Sequence, residues 1–298
     1  MGWPAALVVG LAFALDALFA EPPSRVHPVA LFGRLVAPLD RAWPAPKLVG
    51  TAIATLLPLA AAAVAFASIA ALETELLAAT VAGCWLFSVT SRSMLVGLAS
   101  DVVEAIDTDS PRAREQIRGL VGRDTTTLGA AELRSGAVES AAENVADGLV
   151  APLLAFAVGA QVSLALGVAA AVWVKAVNTL DSMLGYPSKP HGWASARLDD
   201  AVMWVPARLS AVLLALAARN LRALAAARRW ARTPPSPNSG WPMATLAVAT
   251  NTRLHKPEAY TLNPDAPLPS AETANHGIRL VSVACTLAFL LAGVAVWF

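Results

Sequence analysis

Hydrophobic residues along this chain come in long uncharged runs separated by polar stretches, and a helix needs about 20 such residues to cross a hydrocarbon core of about 30 Å. Three runs reach that length: 48 to 72, 148 to 174 and 280 to 298. Three more are weaker, because residues 2 to 20 carry Asp16, 76 to 91 is short, and 201 to 218 contains Pro206 and Arg208. The pattern predicts an all-α, polytopic helical bundle of five or six spans forming a single integral membrane domain over 1–298, with the weak helices tilted, partly interfacial or packed against protein. The polar segments 21 to 47, 92 to 147, 175 to 200 and 219 to 279 hold nearly all the ionisable residues. Chemistry is therefore expected in these loops, at a membrane-edge site.

The segment 219 to 232 holds Arg219, Arg222, Arg228, Arg229 and Arg232 and no acid, which marks the cytoplasmic side of a multi-pass protein of the cell membrane. Simple alternation from there puts 21 to 47 and 92 to 147 in the cytoplasm and 175 to 200 outside. The run 148 to 174 is long for one span, however, and a bend at Gly159-Ala160-Gln161 would return 175 to 200 to the cytoplasmic face. Both topologies stay open on sequence alone. Residues 2 to 20 lack a basic leader and are interrupted by Asp16, so they read as a retained helix.

Composition agrees with the run pattern. AVILMFWYC residues make up 56% of the 298 positions and DEKR only 14%, against about 25% charged in a typical soluble domain. Mean hydropathy is +0.57. A net charge of +1 leaves no field for nucleic acid. Cys84 and Cys285 stand far apart inside apolar runs and read as buried thiols. No phosphate loop, dinucleotide fingerprint, hydrolase elbow or zinc-protease motif is present. The scattered His27, His191, His255 and His276 read as surface or hydrogen-bonded residues.

Four constellations remain. Arg123-Asp124-Thr125-Thr126-Thr127 opens a helical pattern running to about Pro152, on which Glu132, Glu139, Glu143 and Asp147 fall within roughly 80° of one another. Such an acidic stripe without histidine or thiolate company suits a hard cation, Mg²⁺ with phosphate oxygens. Next, Lys175, Asn178 and Ser182 share a helical side, with Asp181 adjacent, and offer a cation, an amide and a hydroxyl to anionic oxygens. Third, Arg197-Leu198-Asp199-Asp200 precedes Pro206-Ala207-Arg208; Arg197 with Asp200 fits a structural ion pair, and Arg208 would answer the acidic stripe. Finally, Ser236-Pro237-Asn238-Ser239-Gly240 is a turn whose backbone suits close approach to a ligand.

Taken together these motifs resemble the CobD/CbiB family of cobalamin biosynthesis. The resemblance rests on Arg123-Asp124-Thr125, Glu139-x-x-x-Glu143-Asn144-x-x-Asp147-Gly148, Ala151-Pro152, Asn178-Thr179-Leu180-Asp181-Ser182-Met183, Ala196-Arg197-Leu198-Asp199-Asp200, Pro206-Ala207-Arg208 and Ser236-Pro237-Asn238, with His27-Pro28-Val29 and Gly33-Arg34 at the amino end. It implies adenosylcobinamide-phosphate synthase activity, an ATP-dependent amide ligation of adenosylcobyric acid to aminopropanol phosphate. Its substrates would be the corrinoid acid, the amino alcohol phosphate and ATP, with Mg²⁺ as cofactor, the lipid bilayer as surroundings, and other corrinoid-pathway membrane enzymes as expected associates. Under it, Asp181, Asp199 and Lys175 are the expected catalytic residues, and Glu139, Glu143 and Asp147 the metal ligands. Arg123, Asp124, Asn144, Asn178, Ser182, Arg197, Asp200, Arg208 and Asn238 would bind substrate and phosphate. Three departures from the family pattern stand out: Ala20-Glu21-Pro22 stands where it has Gly-Asp-Pro, Val174 where it has a tyrosine and Met203 where it has an asparagine. A Mg²⁺-dependent prenyltransferase and a cation-coupled transporter are the alternatives from other classes.

Overall fold

The computed structural model describes residues 2–108 and 128–298. Among these it is almost wholly helical, with one two-stranded hairpin. Among the described residues, six helical segments are long and apolar enough to cross a membrane: Gly2–Phe19, Pro46–Ala70, Glu75–Ile106, Ala130–Gly159, Leu164–Leu184 and Ala271–Trp297. The protein is thus a polytopic helical membrane protein. The described residues group into two compact units, where the sequence reads as one domain.

The first unit comprises Met1–Ser91, Asp147–Met203 and Ala288–Phe298. Its helices are α1 (Gly2–Phe19), α2 (Pro28–Val36), α3 (Pro46–Ala70), α4 (Glu75–Val89), α7 (Ala151–Gly159), α8 (Leu164–Leu184) and α9 (Trp193–Val202). Local chemistry sets their starts. Val29 N donates to His27 Nδ1 at 3.2 Å, and Pro28 follows at the first helical position of α2. Thr74 and Ser163 cap α4 and α8 in the same way. The spans α3 and α8 pack together along their length, α7 folds back on α8, and α2 and α9 lie against α8.

Two features decide how this unit places its polar residues. First, the run 148 to 174 is broken: α7 ends at Gly159, a turn occupies 160 to 163, and α8 starts at Leu164. Gly159 and Gly167 let the two helices approach so closely that a Cβ on Gly159 would stand 2.9 Å from the Gly167 Cα. The sequence bend at 159 to 161 is therefore a hairpin. The segments 21 to 47 and 175 to 200 consequently share one side, as the 2.7 Å ion pair between Asp40 and Lys189 requires, since such a pair cannot form across a bilayer. Simple alternation is excluded.

Second, a π turn occupies Ala146–Val150. Pro152 has no N–H, and its ring would collide with the carbonyl four residues back, that of Gly148. The backbone widens there instead, and the Gly148 carbonyl accepts from Ser91 N at 3.1 Å. Widened turns of this kind recur at functional sites because they redirect a side chain. Here the redirected side chain is Asp147.

The second unit comprises Arg92–Ala146 and Trp204–Leu287. It holds α5 (Arg92–Thr108), α6 (Ala130–Val145), α10 (Trp204–Ala217), α11 (Leu221–Ala227), α12 (Gly240–Ala249), β1 (Leu254–Lys256), β2 (Tyr260–Leu262) and the first part of α13 (Ala271–Trp297). Much of the polar stretch 92 to 147 is thus helix rather than loop. Glu132 closes the start of α6 by accepting from Gly129 N at 2.8 Å. The β hairpin packs on α6, joined by Ser135, whose hydroxyl accepts from His255 N at 2.7 Å.

Candidate functional site

In the first unit, four polypeptide segments bring acids and one lysine together. Asp147 comes from the π turn, Lys175, Asn178 and Asp181 from successive turns of α8, Asp199 and Asp200 from α9, and Glu21 and His27 from the segment before α2. Lys175 Nζ donates to the backbone oxygen of Asp147 at 3.4 Å, and its charge acts on the carboxylates of Asp147, Glu21 and Asp199. Asn178 links the acids: its amide bonds the Asp147 side chain, and Nδ2 donates to Asp199 Oδ1 at 3.5 Å. His27 Nε2 lies 4.0 Å from Glu21 Oε1. Burial holds the His27 imidazole below its ordinary pKa; Glu21 opposes that shift and Lys175 adds to it. His27 is therefore neutral at pH 7, and its neutral Nδ1 remains free to cap α2.

Lys175 stands well inside α8, nine residues before Leu184, or about 14 Å along the axis at 1.5 Å per residue. The site thus runs from Lys175 within α8 to Asp181 in its last turn, where Glu21, His27, Asp199 and Asp200 join it from segments outside the spans. An ionisable residue at that depth is retained for a reason, because an unpaired charge there is expensive. Lys175 and Thr179 also line an apolar cavity of about 330 Å³ walled by Phe32, Val64, Trp85 and Val172. One lysine therefore stands between a cluster of carboxylates on one hand and an apolar cavity on the other.

The second unit carries two separate polar arrangements. Arg208 donates to the Trp204 carbonyl at 2.7 Å and to Asn238 Oδ1 at 2.9 Å. Its guanidinium carbon lies 4.3 Å from the ring centre of Trp204 and 5.2 Å from that of Trp241. Elsewhere Tyr260 donates its hydroxyl to Glu139 Oε1 at 2.9 Å, where Glu139 is only 5% exposed.

The expected site residues now sort clearly. Lys175, Asn178, Asp147, Asp181, Asp199 and Asp200 come together, and Arg208 joins Asn238. Arg197 forms an ion pair with Asp200 at 3.5 Å, as its spacing suggested. Ser182 instead returns its hydroxyl to the carbonyl of Asn178 at 3.0 Å, and Asn144 bonds Ser140 on its own helix. Arg123 and Asp124 lie outside the described residues. The acidic stripe is dispersed: Glu132 caps α6, Glu139 faces Tyr260, and the π turn carries Asp147 out of helical register. Accordingly, no group of three or more His, Cys, Asp or Glu able to hold a metal exists among the described residues, and Glu139, Glu143 and Asp147 do not make a three-carboxylate cage. Arg208 turns to Trp204 and Asn238 rather than to the stripe.

A family profile described as CobD/Cbib protein matches residues 9–288. The chain belongs to the CobD/CbiB family. It is 36% identical to the "Probable cobalamin biosynthesis protein CobD" of Methanothrix thermoacetophila, over 96% of this chain and 95% of that one. It is 37% identical to the "Cobalamin biosynthesis protein CobD" of Geobacter metallireducens, over 97% and 96% respectively. With the protein of that name from Mycobacterium tuberculosis the identity is 38%, over 83% and 79%. No solved structure matches the chain.

Family membership gives the departures a structural sense. Val174 and Met203, standing where the resemblance expects tyrosine and asparagine, are both buried and pack in one apolar cluster with Ala151. Both positions are apolar here and neighbours, so neither places a polar side chain without a partner in that cluster. Glu21 and His27 are the contributors that residue-by-residue reasoning left out. Their signal was the acid of Ala20-Glu21-Pro22 and the His27-Pro28 cap, both far from α8 in sequence.

Proposed function

We propose that this cobalamin biosynthesis protein is an adenosylcobinamide-phosphate synthase, an ATP-dependent ligase that joins a carboxylate of adenosylcobyric acid to aminopropanol phosphate. The observation that carries the reading is the cluster of Lys175, Asn178, Asp147 and Asp199. Amide formation needs an activated carboxylate, a free amine and compensation for phosphoryl charge. The carboxylate oxygen attacks the γ-phosphorus of ATP, ADP leaves, and the amine then displaces phosphate from the acyl phosphate. Lys175 offsets charge developing on the transferred phosphoryl group. Asp199 or Asp181 takes the proton that the ammonium must lose before it attacks.

Mg²⁺ needs only one or two protein carboxylates when phosphate oxygens fill its remaining positions. An oxygen donor such as Asp147, bonded by the Asn178 amide, fits that demand. Bound there with ATP, the ion would neutralise phosphate charge. Arg208, steadied between two tryptophans and Asn238, suits a phosphate of one substrate. The remaining roles follow the same assignment: Asp200 and Arg197 flank the cluster.

The test is detergent-purified protein given adenosylcobyric acid, aminopropanol phosphate and Mg-ATP, with mass spectrometry of the corrinoid. The expected product carries a new amide and requires ATP. The depth of Lys175 in α8 is what favours a cation-coupled transporter as the second reading. No ATP-dependent product from folded protein, together with cation uptake in proteoliposomes, would select it.

A further inference from the structure

The turn between α8 and α9 carries the spacing of the acids on either side of it, because Asp181 lies in the last turn of α8 and Asp199 in the second turn of α9. Within residues 185 to 192 the chain is a short coil and a single 3₁₀ turn, Pro190–Gly192, closed by two backbone bonds, Lys189 N to the Tyr186 carbonyl at 2.8 Å and Gly192 N to the Lys189 carbonyl at 2.9 Å. A side-chain anchor comes from elsewhere in the same unit. Asp40, in the link between α2 and α3, accepts from Lys189 Nζ at 2.7 Å through Oδ2 and lies 3.2 Å from His191 Nε2 through Oδ1. The same Lys189 ammonium donates to the Met183 carbonyl at 2.8 Å, tying the end of α8 into the network. The turn is also pressed against α3, where Gly50 leaves no room for a Cβ beside the His191 backbone carbonyl.

We propose that Asp40 is a positioning residue that locks the 185 to 192 turn and so sets the distance between Asp181 and Asp199. The inference rests on the ligase reading in that these two acids are the ones the chemistry uses. A carboxylate with two oxygens can receive the lysine and the histidine at once, which pins two turn residues two positions apart. The pair is partly exposed, with side-chain exposures of 27% for Lys189 and 36% for Asp40, so it adds little to global stability. What it restricts is the path of one loop. Asparagine at position 40 keeps the shape, loses the charge and turns one acceptor into a donor facing donors; glutamate keeps both acceptors on a longer arm.

The experiment compares wild type, Asp40→Asn, Asp40→Glu and Lys189→Met as full-length, membrane-reconstituted protein. Two quantities are read: hydrogen exchange of the 185 to 192 amides, and kcat and KM for amide formation. Asp40→Asn and Lys189→Met should speed exchange in that segment about tenfold while other helices keep their protection. They should lower kcat about tenfold, with KM for aminopropanol phosphate changed less than about twofold, because a misplaced group costs rate rather than affinity. Asp40→Glu should restore part of both. Unchanged exchange in Asp40→Asn overturns the proposal, and so does exchange that rises across the whole protein, which would show a merely structural role. If wild type makes no amide, the ligase reading falls; the exchange comparison still decides whether Asp40 holds the turn.

Discussion

The two units use the same side-chain types to different ends. In the first, one lysine is shared among several carboxylates and an amide joins two of those acids, all beside a cavity. In the second, polar groups meet in smaller sets: Glu139 receives Tyr260, and Arg208 is held by a carbonyl, by Asn238 and by two indole rings. A shared network can redistribute charge when a substrate enters, whereas a small set around one group mainly fixes a shape. Under the proposed ligase, that contrast assigns reaction chemistry to the first unit and substrate holding to the second.

That contrast can be broken by substitution. The largest effect is expected for Lys175→Met, which removes the ammonium among the acids: ligase turnover should fall by about 10³-fold or more, with the protein still inserted and folded by size-exclusion chromatography. Lys175→Arg should not restore it, since the guanidinium is bulkier and shaped for a planar partner. Asp199→Asn should cost about 10²-fold in kcat, within the range for general-base loss. Asp181→Asn run alongside shows which acid takes the proton, by the larger fall and by a flattened acid limb in the pH–rate profile.

In the second unit, Arg208→Lys keeps the charge but loses the fork that reaches Trp204 and Asn238. KM for one phosphorylated substrate should rise about tenfold with kcat little changed. A dominant fall in kcat would move Arg208 into the reacting group and erase the contrast between units. Tyr260→Phe removes the donor to a buried carboxylate and should lower stability by about 1–3 kcal/mol, read as a shift in thermal unfolding, while the activity of the folded fraction stays within about threefold. The smallest effect is expected for Arg197→Ala. Arg197 is 69% exposed in its pair with Asp200, and its loss should change unfolding by less than about 1 kcal/mol.

The membrane class, the clear spans and the family resemblance are all legible in residue order, because spans and motifs are properties of consecutive positions. The broken run 148 to 174 is a middle case. Its length and Gly159 signalled a bend, but both topologies satisfied the hydropathy pattern, and only the Asp40–Lys189 contact across sequence chose one. The acidic stripe shows where periodicity fails. An ideal 3.6-residue helix places Glu139, Glu143 and Asp147 together, yet Pro152 removes a backbone donor and widens the turn before it, so Asp147 rotates away to meet α8.

The sequence by itself determined that this chain crosses a membrane several times, that its polar residues gather in a few segments, and that it has the motifs of the CobD/CbiB family. Those follow from composition, run length and local spacing, which need no partner to be read. Only the tertiary structure decided which carboxylates meet Lys175, that Glu21 and His27 join them, and that Glu139 belongs instead to Tyr260. Such pairings are set by which helices pack and how each is rotated about its own axis. One π turn and one hairpin, each a change of a few backbone torsions, redirect every side chain that follows them.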